Sequence, residues 1–123
     1  MTRSENPAVL LQKRLTLFGA RSLKLAAVLP QNYQAQHVAK QMTRCATAVA
    51  ANYGEVRGAE SRADFVHKLR IVLKELNETE VWLTLIAENS WFSAEKLSGL
   101  ITENRELCRI IAASIETAGG FNR

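Results

Sequence analysis

At 123 residues the chain is one domain, long enough to bury a core and too short for two. Its 47% hydrophobic and 23% charged residues exclude a disordered chain, and a net charge of +4 favours acidic partners such as RNA, DNA or anionic lipid. No apolar run approaches the roughly 20 residues of a membrane helix, and the opening MTRSENPAVLLQKRL lacks a signal-peptide core, so a cytoplasmic protein is expected.

Only two prolines and six glycines punctuate the chain. Its wealth of Ala, Leu, Glu, Lys and Arg points to long helices rather than short strands. Asn6-Pro7 supplies an N-cap followed by a proline suited to the first helical position, which predicts a helix from there to about Leu29, where Pro30 stops it. Its inward set is Ala8, Leu11, Leu15, Phe18, Leu25 and Leu29, with Ser22 in the remaining slot. The same periodicity predicts a second helix from roughly Tyr33 to Arg57, with Ala35, Val38, Met42, Cys45, Val49, Asn52 and Val56 inward. Gly58 is expected to take a left-handed conformation at its end.

Ser61-x-x-Asp64 restarts the chain as a capping box with Asp in place of Glu. Phe65, Leu69, Val72, Leu76, Thr79, Leu83 and Ile86 then face inward as far as about Asn89. Ser93 caps a fourth helix, in which Leu97, Ile101, Asn104, Cys108, Ile111 and Ile115 lead to Ala118 before Gly119-Gly120 ends it. Short links leave neighbouring helices only an antiparallel arrangement, so the expected fold is all-α: an antiparallel up-and-down four-helix bundle spanning residues 1–123 as a single domain.

Two of these helices carry a second stripe. On helix 1 it comprises Leu10, Arg14, Leu17, Arg21, Lys24 and Val28; on helix 3, Asp64, Lys68, Ile71, Glu75, Glu78, Trp82, Leu85 and Asn89. A lone bundle needs one apolar stripe per helix. The second stripes are either wide flanks, where long side chains lie over neighbouring helices, or a subunit interface, basic on helix 1 and largely acidic on helix 3. Two different surfaces that pair between copies close into a ring. Leu10, Leu17, Val28, Ile71, Glu75, Glu78 and Trp82 are the interface candidates.

The stretch ANYGEVRGAESRADFVHKL, residues 51–69, gathers polar groups around the second turn. A bundle-core metal pair needs a Glu-x-x-His unit from each of two helices. This chain has one acid-x-x-His pair, Asp64 and His67, and no acid stands three residues before His37. Cys45 and Cys108 stand alone without metal-ligand or redox spacing and fall on apolar stripes, as reduced core residues do. Ser61 and Ser93 are explained as caps, and no Gly-rich loop opens a helix. No metal, cofactor or catalytic residue is expected, hence no enzyme. A structural junction is expected instead. Asn52 has its amide satisfied there, Glu55 pairs with Lys68 across the turn, and Arg44 reaches Glu75 or Glu78.

Nucleic-acid contacts, if made, fall to Lys13, Arg14, Arg21 and Lys24 on helix 1, joined by Arg3, Arg57 and Arg62 from loops. Such residues hold phosphates without reading sequence. No aromatics interleave with them, so base stacking is not indicated. A ring that hides Arg14 and Arg21 competes with nucleic acid for the same residues.

The segment QMTRCATAVAANYGEVRGAESRADFVHKLRIVLKELNETEVWLTLI closely resembles the four-helix bundle protein family, some members of which are encoded by intervening sequences within large-subunit ribosomal RNA genes. Arg44 lies in its Q-x-x-R start, AANYGEV stands at its A/G-A-N-x-x-E-A/G stretch, Ser61-x-x-Asp64-Phe65 opens its third helix, KELNETEVWL matches one branch's K-E-x-x-E-T-x-x-W-L, and ENRELCRIIAASIETA is similar to its last helix. Cys45-Ala46 and Val56 depart from the small residues common there. The resemblance covers nearly the whole chain, most weakly before about residue 20. It implies an antiparallel bundle that assembles as a homopentameric ring. A distant relative, the accessory protein of diversity-generating retroelements, binds nucleic acid and a reverse transcriptase. By analogy the resemblance implies binding of RNA or DNA, or an adaptor role for a reverse transcriptase or other nucleic-acid enzyme. The alternative is a structural or protein-interaction module without nucleic-acid affinity.

Overall fold

The computed structural model describes residues 6–119; Arg3 and Gly120 lie outside the described residues. Four helices follow one another, α1 (Pro7–Ala27), α2 (Tyr33–Val56), α3 (Arg62–Glu88) and α4 (Ala94–Gly119), with no strand among the described residues. Their starts are chemically marked. Asn6 Oδ1 accepts from the Ala8 N–H at 2.7 Å, Asn32 Oδ1 from Ala35 at 2.9 Å and Ser61 Oγ from Asp64 at 3.1 Å, each satisfying a donor that the first turn leaves without a helical partner.

Their ends differ from expectation. No glycine among the described residues has positive φ; that conformation falls on Ser90, at φ 55°. There the Ser90 N–H donates to Ala87 O at 3.0 Å and the Trp91 N–H to Ile86 O at 3.1 Å, the paired bonds of a Schellman cap closing α3. Gly58 instead continues a tight right-handed turn, its N–H donating to Glu55 O at 3.0 Å.

α1 packs along α2, α2 along α3 and α3 along α4, whereas α1 meets α4 over only a few residues. The short links 28–32, 57–61 and 89–93 make each successive pair antiparallel. Leu15, Phe18, Met42, Val49, Leu76, Leu83, Leu107 and Ile111 are fully buried at the centre. On the tight side, Gly19 of α1 is buried, and a Cβ built on it would stand 3.5 Å from Ala46 O of α2. At the far end from the α1–α2 link, Asn6 and Val9 share a hollow with Thr117 and Ala118.

Two stripes are turned from where periodicity alone put them. In α2 Tyr53 is buried and Asn52 half-buried, so Tyr53, not Asn52, continues the core face between Val49 and Val56. A step of four residues and then three brings in the large ring, and the amide remains at the margin. In α4 Leu100 and Leu107 are buried, while Ile101, Cys108 and Ile115 pack half-buried at the rim. Polar groups in the core find backbone acceptors: within their own helices Ser22 Oγ donates to Phe18 O at 2.9 Å and Thr79 Oγ1 to Glu75 O at 2.7 Å, and from α4 to α3 Asn104 Nδ2 donates to Leu76 O at 3.1 Å.

Candidate functional site

The molecule is electrically lopsided. Between Glu5 and Glu55 the sequence has no Asp or Glu at all. The α1–α2 hairpin therefore holds six cations (Lys13, Arg14, Arg21, Lys24, Lys40 and Arg44) against the single acid Glu55, whereas α3 and α4 together hold seven cations against nine acids.

The second stripe of α1 lies along the loosely packed α4 side. Midway, Arg14 donates twice to Glu103, Nε to Oε2 at 2.7 Å and Nη2 to Oε1 at 2.8 Å. The paired hydrogen bonds hold the Glu103 carboxyl below its ordinary range, against the opposing effect of burial, and raise Arg14. Arg14, a candidate for phosphate, is thus engaged within the chain. Two turns on, Arg21 lies over Gly99, and with Lys24 and Lys96 it borders a groove floored by Leu25, Leu97 and Leu100. Leu10, Leu17 and Val28 are open to solvent along the same edge, Leu17 at 59% and Val28 at 61%.

The second stripe of α3 has partners inside the chain, including the expected reach of Arg44 to Glu75 and Glu78. Arg44 of α2 donates to Glu78, and its Nη1 stands 3.7 Å from Glu75 Oε1. Trp82 Nε1 also donates to Glu78, at 3.2 Å, and the Trp82 ring meets His37 edge-on, centroids 6.1 Å apart at 82°. Ile71, Glu75, Glu78 and Trp82 are all half-buried. One guanidinium faces two carboxylates there, so this cluster on the α2–α3 side retains negative charge. Given the packing order, this side lies opposite the α1 edge.

At the second turn Lys68 pairs with Asp64 of its own helix at 3.1 Å, not with Glu55 as the sequence suggested. A lysine four residues along a helix meets its carboxylate without crossing a turn. Asp64 Oδ2 also accepts from the Glu60 N–H at 3.2 Å, and that bond, with Lys68 second, holds its carboxyl below the usual range. The shorter Asp reaches the residue before the cap rather than the cap itself.

The structure does not gather the six described phosphate candidates into one patch, Arg3 lying outside the described residues. Lys13 and Lys24 are exposed on α1, while Arg57 and Arg62 sit at the α2–α3 turn among Glu55, Glu60 and Asp64, the opposite end from Lys24. Tyr33 and Lys40 of α2, neither singled out from the sequence, face a groove beside α1; the acid-free run was the signal that could have found them. Among the described residues no three His, Cys, Asp or Glu groups are placed to hold a metal. Cys45 is fully buried with Thr79 Oγ1 at 3.0 Å, and burial pushes its thiol up, as it does for half-buried Cys108.

The helical topology defines a class, an antiparallel four-helix bundle. The description 23S rRNA-intervening sequence protein matches residues 12–113, and the chain belongs to that family. A crystal structure of a protein of unknown function from the S23 ribosomal protein family of Bacteroides thetaiotaomicron is 30% identical, covers 89% of this chain and 97% of its own, and superposes with a TM-score of 0.81. No curated protein matches the chain. No described helix is long and apolar enough to cross a membrane.

Proposed function

We propose that this chain is a non-enzymatic, self-assembling bundle, a homopentameric ring, that holds the phosphate backbone of RNA or DNA, directly or as an adaptor for a nucleic-acid enzyme such as a reverse transcriptase. The observation that carries this reading is the charge of the α1–α2 hairpin, six cations with no carboxylate between Glu5 and Glu55 to compete with phosphate. Lys13, Lys24 and Lys40 supply the contacts along that hairpin, Lys24 beside α4 and Lys40 in the groove between α1 and α2, and a ring repeats them around its circumference, so weak single contacts add. Assembly is supported by the exposed Leu10, Leu17 and Val28 on one side of the bundle and the acidic Glu75–Glu78 cluster on the opposite side, two different surfaces as a ring requires of each copy.

The test is titration of labelled RNA and DNA across a salt series. Affinity is expected to fall steeply as salt rises, by about one unit of log-log slope per phosphate contact. No binding at low salt, or binding indifferent to salt, removes the reading. The same exposed leucines then favour the second one, a protein-interaction module without nucleic-acid affinity.

A further inference from the structure

We infer that the groove between the C-terminal half of α1 and the N-terminal half of α2 is a binding site for single-stranded nucleic acid, with an unstacked base lying on Tyr33 and its phosphates on Lys40. The inference rests on the nucleic-acid reading above and specifies where and in what form the polymer binds.

Tyr33 is the first residue of α2 and is 83% exposed, the most open large hydrophobic side chain among the described residues. The core takes nothing from it. Its ring stands in a groove shared with Leu23, Gln36, His37 and Lys40, and no carboxylate lines that groove. Tyr33 and His37 are one turn apart on the same helix face, as are Gln36 and Lys40 beside them, so a ring row runs next to a polar row. The His37 ring is also held in a T-shaped contact with Trp82. Asn32 uses its Oδ1 on the Ala35 N–H, and Gln36 its Nε2 on Pro30 O, so each amide keeps its other atom for the edge of a base.

An aromatic face, amide donors and acceptors, a lysine and no acid are the groups that hold an unpaired nucleotide. A duplex fits them poorly, because its base faces are covered by their neighbours. RNA and DNA share the ring and phosphate chemistry, and only RNA adds a 2′-hydroxyl.

The experiment is fluorescence anisotropy on the full chain with a labelled single-stranded RNA, the same sequence in DNA, and the corresponding duplex. Single strands are expected to bind more tightly than duplex. Tyr33→Ala is expected to weaken them about tenfold with an unchanged salt slope, Tyr33→Phe to retain affinity, and Lys40→Gln to lower the slope by about one. Equal affinity for RNA and DNA supports base and phosphate recognition alone, and tighter RNA binding supports it with a 2′-hydroxyl contact. If Tyr33→Ala binds single strands as the wild type does, or duplex is preferred, this site is wrong while the phosphate reading stands. If no nucleic acid binds at low salt, both fall. Circular dichroism confirms folding, which a residue so exposed does not threaten.

Discussion

Ser90 is the one described non-glycine residue in the left-handed region, and it sits where a Schellman cap most favours glycine. Ser90→Gly is therefore expected to raise stability by about 0.5–1 kcal/mol, seen as a higher urea midpoint. Arg14 and Glu103 offer a test of opposite sign. Glu103 is held below its ordinary value of 4.5 chiefly by hydrogen bonds from Arg14. A carboxylate lowered in this way contributes stability above its unfolded pKa and loses it as pH falls through the folded one. Glu103→Gln should cost about 1 kcal/mol near neutral pH, the pair being partly exposed. The gap to wild type should close as unfolding is repeated below pH 4.5. Neither feature was legible beforehand. The two partners lie 89 positions apart, and nothing local joins them. Gly58 looked like the left-handed residue because composition shows who tolerates that conformation, not who is forced into it.

The helices themselves were legible. Asn6, Ser61 and Ser93 marked starts because short polar side chains satisfy the first-turn donors, and apolar spacing set the inward faces. Periodicity was weaker where two adjacent residues both suit a face, as at Asn52 and Tyr53 or at Leu107 and Cys108, since a rotation of 100° separates them and packing decides. It also showed that α1 and α3 carry second stripes without showing which neighbour each would meet. Arg44 and His37 of α2 meet the stripe of α3, and the thin α1–α4 contact leaves that of α1 open. The open edge makes a prediction about the element. Leu17→Glu, at a position the chain itself leaves exposed, should preserve helix content while reducing the light-scattering mass from an oligomer to 13.7 kDa. A wild-type mass of 13.7 kDa would remove the ring altogether.

At the scale of the whole molecule, a modest net charge concealed a strong separation. The excess of +4 combines a basic α1–α2 hairpin, a slightly acidic α3–α4 pair and a small positive remainder outside the helices, and a ligand meets the local field rather than the total. The candidate surface was accordingly half legible. Lysines on α1 stood out by number, whereas the α2 side of the groove emerged only when the two helices were placed against each other. An even number of antiparallel helices also returns the backbone to its starting side, where Asn6 and Val9 stand with Thr117 and Ala118. Tyr33 opens the 24-residue α2 at the other extreme, about 36 Å away along the axis. A fluorophore or tether joined beside either of those flanks would thus project away from the tyrosine, and a copy fixed to a sensor chip that way would hold its groove out toward solution.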